Sequence, residues 1–309
     1  MLGGATIRDD AMFNTTLRAF DETARRGSIR KASDALGVAP SSVSRNVALL
    51  EREMGTALFE RHAGGVVLTH AGQLVADYAR SVLLDYDSLR SDLDDRRGTQ
   101  RRLLRLALVE SVASSGPVSA VAKFSEKFRS VSFHLRIMPA PMVVETVQQG
   151  QCDIGVAFCA QPNPEIVMLA QVSEPIMLAV PLQHALAHQT AVRLRDIAGL
   201  RLALPDLDFG VRRIFDQACA QNDIRSMPVL SSNTFETLRD FVRCGAGAAI
   251  LPMRAIARYQ RTGELRGIPI AETPFQDTSI DIIALKRRRL PRIVRVFAES
   301  LVAEIKATA

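Results

Sequence analysis

Ser41, Ser42, Ser44, Arg45 and Asn46 place three hydroxyls, a guanidinium and a carboxamide in the N-terminal half of one short helix. A guanidinium can hold guanine O6 and N7 together, a pairing that discriminates between bases by about 1–3 kcal/mol. A serine hydroxyl bonds a base edge or a phosphate, and a helix N-terminus favours phosphate. Arg30, Lys31, Arg52 and Arg61 are better placed for the backbone phosphates of the same duplex. The plain alternatives are an ordinary helix cap for Ser41 and a salt bridge within the domain for Arg45.

A second set of residues suits a small ligand. Ser111, Ser114 and Ser115 lie between a strand end and a helix starting at Pro117, where hydroxyls and helix N–H groups make an anion seat. The stretch from Pro205 to Gly210 adds Phe209, and Ser232 to Phe235 adds Asn233, Thr234 and Phe235 itself. Met138, Pro139, Ala140 and Phe158 supply an apolar wall. This mixture fits a small carboxylate, aromatic ones included. Asn233 with Glu236 also reads as a capping box, and Ser114 and Ser115 as a plain helix start.

Other chemistries find no support. His184 and His188 have a one-turn spacing, but no carboxylate or cysteine stands close enough in sequence to complete a metal site. Gly245-Ala-Gly247 imitates a dinucleotide loop, yet its third glycine is missing and a helix precedes it. No serine nucleophile elbow and no paired catalytic groups occur. Cys152, Cys159, Cys219 and Cys244 have no CxxC spacing and read as buried free thiols, with a redox switch as the alternative. The expectation is a protein without metal, cofactor or enzymatic activity, whose cleft binds and does not transform.

The elements that must hold these residues follow from the pattern. A helix over Thr15–Arg26 stops at Gly27. Ser28 caps a second helix through Leu36, with Ile29, Ala32, Ala35 and Leu36 facing inward. Gly37 turns the chain, Pro40 opens a third helix, and Val43, Val47, Leu50 and Met54 form its inner stripe. Leu58 and Phe59 close the core, and Gly64-Gly65 turns into a wing strand, Val66–Thr69. This is a helix-turn-helix with a wing, a shape that lays one helix into a DNA major groove.

From His70 to about Arg97 one long helix carries a narrow apolar stripe of Val75, Tyr78, Val82, Leu89 and Leu93. Such a stripe serves dimerisation or docking on its own domain. Gly98-Thr99-Gln100 marks a linker. Beyond it, strands over Arg102–Ser111, Ser132–Ala140 and Asp153–Phe158 alternate with helices in a doubly wound way. A second such unit runs from Ile176 to about Gly267, and strand Ser279–Lys286 with helix Pro291–Lys306 returns to the first. Two lobes joined by crossing strands leave a cleft between them.

Bulk properties constrain less. At 309 residues, 47% hydrophobic and 23% charged, the chain has the size and composition of a two-domain globular protein. No apolar run approaches a membrane span and the N-terminus has no signal core, so the expected place is the cytoplasm, with no membrane partner. The formal charge is +6, of which residues 1–102 carry only +1. Net charge therefore says little about DNA, and only the local placement of arginines can. The Lys286–Arg289 run with Arg292 and Arg295 reads as a solvated loop and helix face.

Phe20, Gly27-Ser28, Ala32, Leu36, Val43-Ser44-Arg45, Leu50-Glu51, Gly55, Leu58-Phe59, Arg61, Leu68-Thr69 and Ala71-Gly72 stand at a characteristic fixed spacing. In them the chain resembles the LysR-type bacterial transcriptional regulators. Gly150 with Asp153-Ile154, and Gly245 through Leu251-Pro252, are weaker echoes of the same family. The resemblance implies an α/β protein overall: an all-α winged helix-turn-helix (1–70), a dimerising linker helix (71–99) and a two-lobed periplasmic-binding-protein-like effector domain (100–309). Lobe I would span about 100–165 and 271–309, and lobe II about 166–270. It also implies a homodimer or homotetramer on interrupted palindromes in double-stranded promoter DNA, with contacts changed by a small-molecule effector and RNA polymerase as a further partner. A solute-binding protein or an enzyme built on the α/β part is the alternative. Pro40 and Asn46 replace a glutamine common in relatives, and Ala63-Gly64 lacks their basic wing residue.

Overall fold

The computed structural model describes residues 6–97, 102–113 and 116–307, and the chain divides into two compact units between Arg96 and Arg97. The linker at Thr99-Gln100 lies outside the described residues.

The first unit contains α1 (Thr6–Arg26), α2 (Ile29–Leu36), α3 (Pro40–Met54), β1 (Phe59–His62), β2 (Gly65–Leu68) and α4 (His70–Arg97). Ser28 caps α2, its Oγ accepting the Lys31 N–H at 3.4 Å. Gly37 ends α2 at φ 65°, a conformation that costs glycine little. Pro40 opens α3 at a position whose N–H has no helical partner. Leu17, Phe20, Ala32, Val43, Val47, Leu50 and Leu58 form the core, and the Phe20 ring meets Phe59 at 5.1 Å. α4 adds Ala76, Ala79 and Leu83 to this core, so it docks on its own unit. Leu74, Tyr78 and Leu89 stay 62%, 61% and 58% exposed, which leaves a second apolar strip of α4 uncovered.

Four local expectations change. Met54 is exposed, so the inner stripe of α3 ends at Leu50. α1 starts at Thr6 rather than Thr15, and the sequence between them has no Gly or Pro to stop a helix. Ala35 is exposed, and the inward position belongs to buried Ser33, whose hydroxyl donates to the Arg30 carbonyl at 2.8 Å. In the wing, Phe59 pairs with Leu68 and His62 with Gly65, so Ala63-Gly64 form the turn. The tertiary contact decides this register. The Val66 N–H donates to the Gly27 carbonyl at 2.9 Å, and a Cβ on Gly65 would lie 2.2 Å from that same oxygen.

The second unit begins with β3 (Arg102–Leu108), α5 (Glu110–Ala113), α6 (Pro117–Lys127), β4 (Val131–Ile137), α7 (Ala140–Gln148), β5 (Ile154–Phe158) and β6 (Ile166–Ser173). It continues with β7 (Ile176–Val180), α8 (Leu194–Ile197), β8 (Leu202–Pro205), α9 (Gly210–Gln221), β9 (Leu230–Ser232), α10 (Phe235–Arg243), β10 (Ala248–Pro252), α11 (Met253–Arg261) and β11 (Arg266–Pro269). It closes with α12 (Thr273–Gln276), β12 (Ser279–Leu285) and α13 (Arg292–Ala307). Two five-stranded sheets result, ordered β4-β3-β5-β12-β6 and β11-β7-β10-β8-β9.

β6 belongs to the first sheet through its ladder with β12, so the outward crossing falls after Ser173 and not near 166. The return crossing lies beside it: the Glu174 N–H donates to the Thr278 carbonyl at 2.9 Å. Arg254 of α11 pins this junction. Its side chain is fully buried against that of Glu174, and its guanidinium donates to Ser173 O at 2.9 Å and Ile305 O at 3.1 Å. These bonds offset part of the desolvation of the buried pair, while Arg254 Nε is buried without a partner.

Candidate functional site

The inner face of α3 is set by Val43, Val47 and Leu50, all buried. At 100° per residue, Ser41, Arg45, Ala48 and Arg52 then lie opposite, and all four are exposed. Ser44 flanks this strip on one side, Ser42 and Asn46 on the other, and these three are half-buried. No side chain caps α3. The Ser42 and Val43 N–H groups bond back to the Ala39 carbonyl, and Pro40 has no N–H, which leaves the Ser41 N–H as the free donor at this helix start.

Arginines in this unit fall into two groups. Arg25, Arg26 and Arg80 pair with Asp21 or Glu22. Arg30, Lys31, Arg45, Arg52 and Arg61 are exposed and form no ion pair with a described residue. The intradomain salt bridge considered for Arg45 is therefore not made. Sequence reading passed over one positioning group, Glu51. Its Oε1 accepts the N–H groups of Leu58 at 2.9 Å and Phe59 at 3.2 Å, which ties the start of the wing to α3.

In the second unit a cavity of about 460 Å³ opens between the two sheets. It lies beyond the carboxyl ends of β3, β4, β5, β8, β9 and β10, the usual place for a ligand in open α/β sheets. Nine expected residues line it: Ser111, Met138, Pro139, Ala140, Phe158, Phe209, Asn233, Thr234 and Phe235. Ser114 and Ser115 lie outside the described residues. Thr234, not Asn233, is the N-cap of α10; its Oγ1 accepts the Thr237 N–H at 3.5 Å. The capping box of Asn233 and Glu236 is accordingly absent. Glu236 instead pairs with Arg239 and accepts the Tyr259 hydroxyl at 3.0 Å, which holds its carboxyl below the ordinary value.

The charged lining residues are Glu110, which was not foreseen, and Asp208, which lies in the expected stretch from Pro205 to Gly210. Glu110 is the second residue after β3 and opens α5, a strand-to-helix turn that faces such clefts, so its position was the available signal. Its Oε1 accepts the Phe235 N–H at 2.9 Å, spanning from the first lobe to the second. Burial raises its carboxyl above the ordinary value, although the Phe235 N–H pulls the other way. Among the described lining residues both charged side chains are acidic, and there is no Lys, Arg or His. This lining disfavours the small carboxylate that the hydroxyl-rich loops point to. Like charges at 4 Å repel by about 4 kcal/mol at an effective dielectric of 20. The N-terminus of α10 is also already occupied by the Glu110 carboxylate.

Residues 15–73 match the bacterial regulatory helix-turn-helix protein, lysR family, and residues 97–306 match the LysR substrate binding domain. The chain is a LysR-type transcriptional regulator. It is 30% identical over 280 residues to an uncharacterized HTH-type transcriptional regulator, YfeR, of Shigella flexneri, covering 89% of this chain and 88% of that one. In fold it is similar to a full-length OxyR variant from Pseudomonas aeruginosa, with a TM-score of 0.74, 18% identity and coverage of 93% and 94%. It is also similar to full-length CbnR complexed with its target DNA, with a TM-score of 0.53, 21% identity and coverage of 94% and 99%.

Within this regulator the remaining chemistry-bearing residues have structural work. His184 Nδ1 accepts the Leu186 N–H at 3.2 Å and caps a single 3-10 turn. Gly245 turns the chain after α10. Arg288 is not solvated as its cluster suggests. It bonds Asp153 at 2.8 Å with both side chains nearly buried, and Asp153 also accepts the Arg105 N–H at 2.8 Å. Cys152 is a buried thiol pushed up to about 12, and burial also raises Cys159 and Cys219. Cys159 is half-buried and Cys244 exposed, against the buried-thiol expectation. Among the described residues no helix is long and apolar enough to cross a membrane.

Proposed function

We propose that the outer face of α3 enters the DNA major groove, with Arg45 reading a base and Ser41, Ser42, Ser44 and Asn46 beside it. Arg30, Lys31, Arg52 and Arg61 hold the flanking phosphates. The observation that carries this reading is the set of five exposed, unpaired cations on α2, α3 and the wing, in a unit whose other described arginines are largely paired. The uncovered strip of Leu74, Tyr78 and Leu89 on α4 supports pairing with a second copy. A homodimer or homotetramer then spans two half-sites of promoter DNA, where RNA polymerase is a further partner. A small molecule in the cavity between the lobes changes the DNA contacts, because it can favour one lobe arrangement over another.

The test is a gel-shift titration on the gene's own upstream region and on random DNA. Arg45→Ala is expected to weaken specific binding by about tenfold to a hundredfold and to leave random DNA within a few-fold. Equal losses on both would make Arg45 a phosphate contact.

A further inference from the structure

We infer that the cleft selects a small apolar cation: an ammonium group carried on a hydrocarbon or aromatic body. This rests on the reading of the cavity as the effector site. The charged described residues of the lining are Glu110 and Asp208. Asp208 is exposed at the cavity and makes no ion pair with a described residue. Glu110 is half-buried and reaches across the lobes to the Phe235 N–H.

The apolar part of the lining has a matching chemistry. Phe158, Phe209 and Phe235 come from both lobes, and the last two rings meet edge to face at 5.2 Å. Aromatic faces attract cations and are indifferent or repulsive to anions. An acid would find no cation in the described lining, two like charges, and a helix terminus already filled by Glu110. An ammonium would find one or two carboxylates and the ring faces. Two arginines challenge this reading: Arg239 of α10, itself paired with Glu236, acts on the Glu110 carboxylate, and Arg213 lies beside the lining. Arg213 is exposed on the first turn of α9, and its Nη2 lies 3.8 Å from where a Cβ on the lining residue Gly210 would be.

Isothermal titration of the full chain with phenethylamine, 2-phenylethanol and phenylacetate separates the classes. Phenethylamine is expected to bind about tenfold tighter than the alcohol, with phenylacetate weakest. Glu110→Gln and Asp208→Asn should each weaken the amine about tenfold, and Arg213→Ala should leave it within about twofold. Phenylacetate binding as tightly as the amine, or acid binding lost in Arg213→Ala, overturns the proposal. So does failure of all three probes to bind below about 10 mM. If phenylacetate binds and alters the footprint on the upstream region, the effector role of the cleft stands and the amine class falls. If the amine binds with the stated dependence and the footprint is unchanged, the class stands and the coupling to DNA falls.

Discussion

The DNA-binding unit and the ligand cleft use charge in opposite ways, and neither follows the net charge of its part of the chain. Residues 1–102 are almost neutral, yet five cations on α2, α3 and the wing stand unpaired and outward. Residues 103–309 carry the remaining surplus of +5, yet the described lining of their cavity holds two acids and no base. Ion pairs such as Arg288–Asp153 and Arg212–Asp216 add nothing to that surplus, which belongs to cations elsewhere in the chain. What a site attracts is set by the few side chains whose partners are missing, because a paired charge is largely cancelled at the distance of a ligand.

The strongest way to break the contrast is to remove one side and see whether the other survives. Phe20 is fully buried against Phe59 in the core of the first unit. Phe20→Ala should cost about 3–5 kcal/mol, a large share of what a unit of this size has. DNA binding should disappear at temperatures where phenethylamine binding to the cleft is unchanged. Loss of both together would mean that the two units do not fold independently.

A smaller change sharpens the distinction within the DNA face. Arg52 is exposed, unpaired and nearer the C-terminal end of α3 than Arg45. Arg52→Ala should weaken specific and random DNA by the same factor and reduce the slope of log affinity against log salt by about 1. A loss confined to the specific site would move Arg52 among the base readers.

The two regions were also unequally legible in the sequence. α2 and α3 announce themselves through Ser28, Gly37, Pro40 and a four-residue apolar repeat, all local signals. The wing strand was displaced by one residue because Gly64 and Gly65 offer two turn positions, and only the approach of Gly65 to the Gly27 carbonyl chooses between them. β6 went unread because its sequence alternates poorly. Val167, Met168 and Leu169 are each more than a third exposed at a sheet edge, and the pairing strand is more than a hundred residues away. In the cleft, nine lining residues are legible from which loops follow strands. Glu110 and Asp208 lie in those same loops. Their charge was left out because hydroxyls and helix termini point to an anion seat, and only the bond from Phe235 to Glu110 shows that one such terminus is taken.

Glu110 provides the smallest effect and the most specific one. Burial raises its carboxyl above the ordinary glutamate value, so the folded chain holds this proton more tightly than the unfolded chain. Its contribution to stability is then complete below the ordinary value and is lost as pH rises through the raised one. Glu110→Gln removes the charge and keeps an acceptor for the Phe235 N–H. Near neutral pH the variant should melt higher, by about 2 °C or less. As pH falls below the ordinary glutamate range the two curves should converge, because both side chains are then neutral. Scanning calorimetry across that interval measures the difference directly. A variant that melts lower near neutral pH would mean that the charged bond to the Phe235 N–H outweighs the cost of burying this carboxylate.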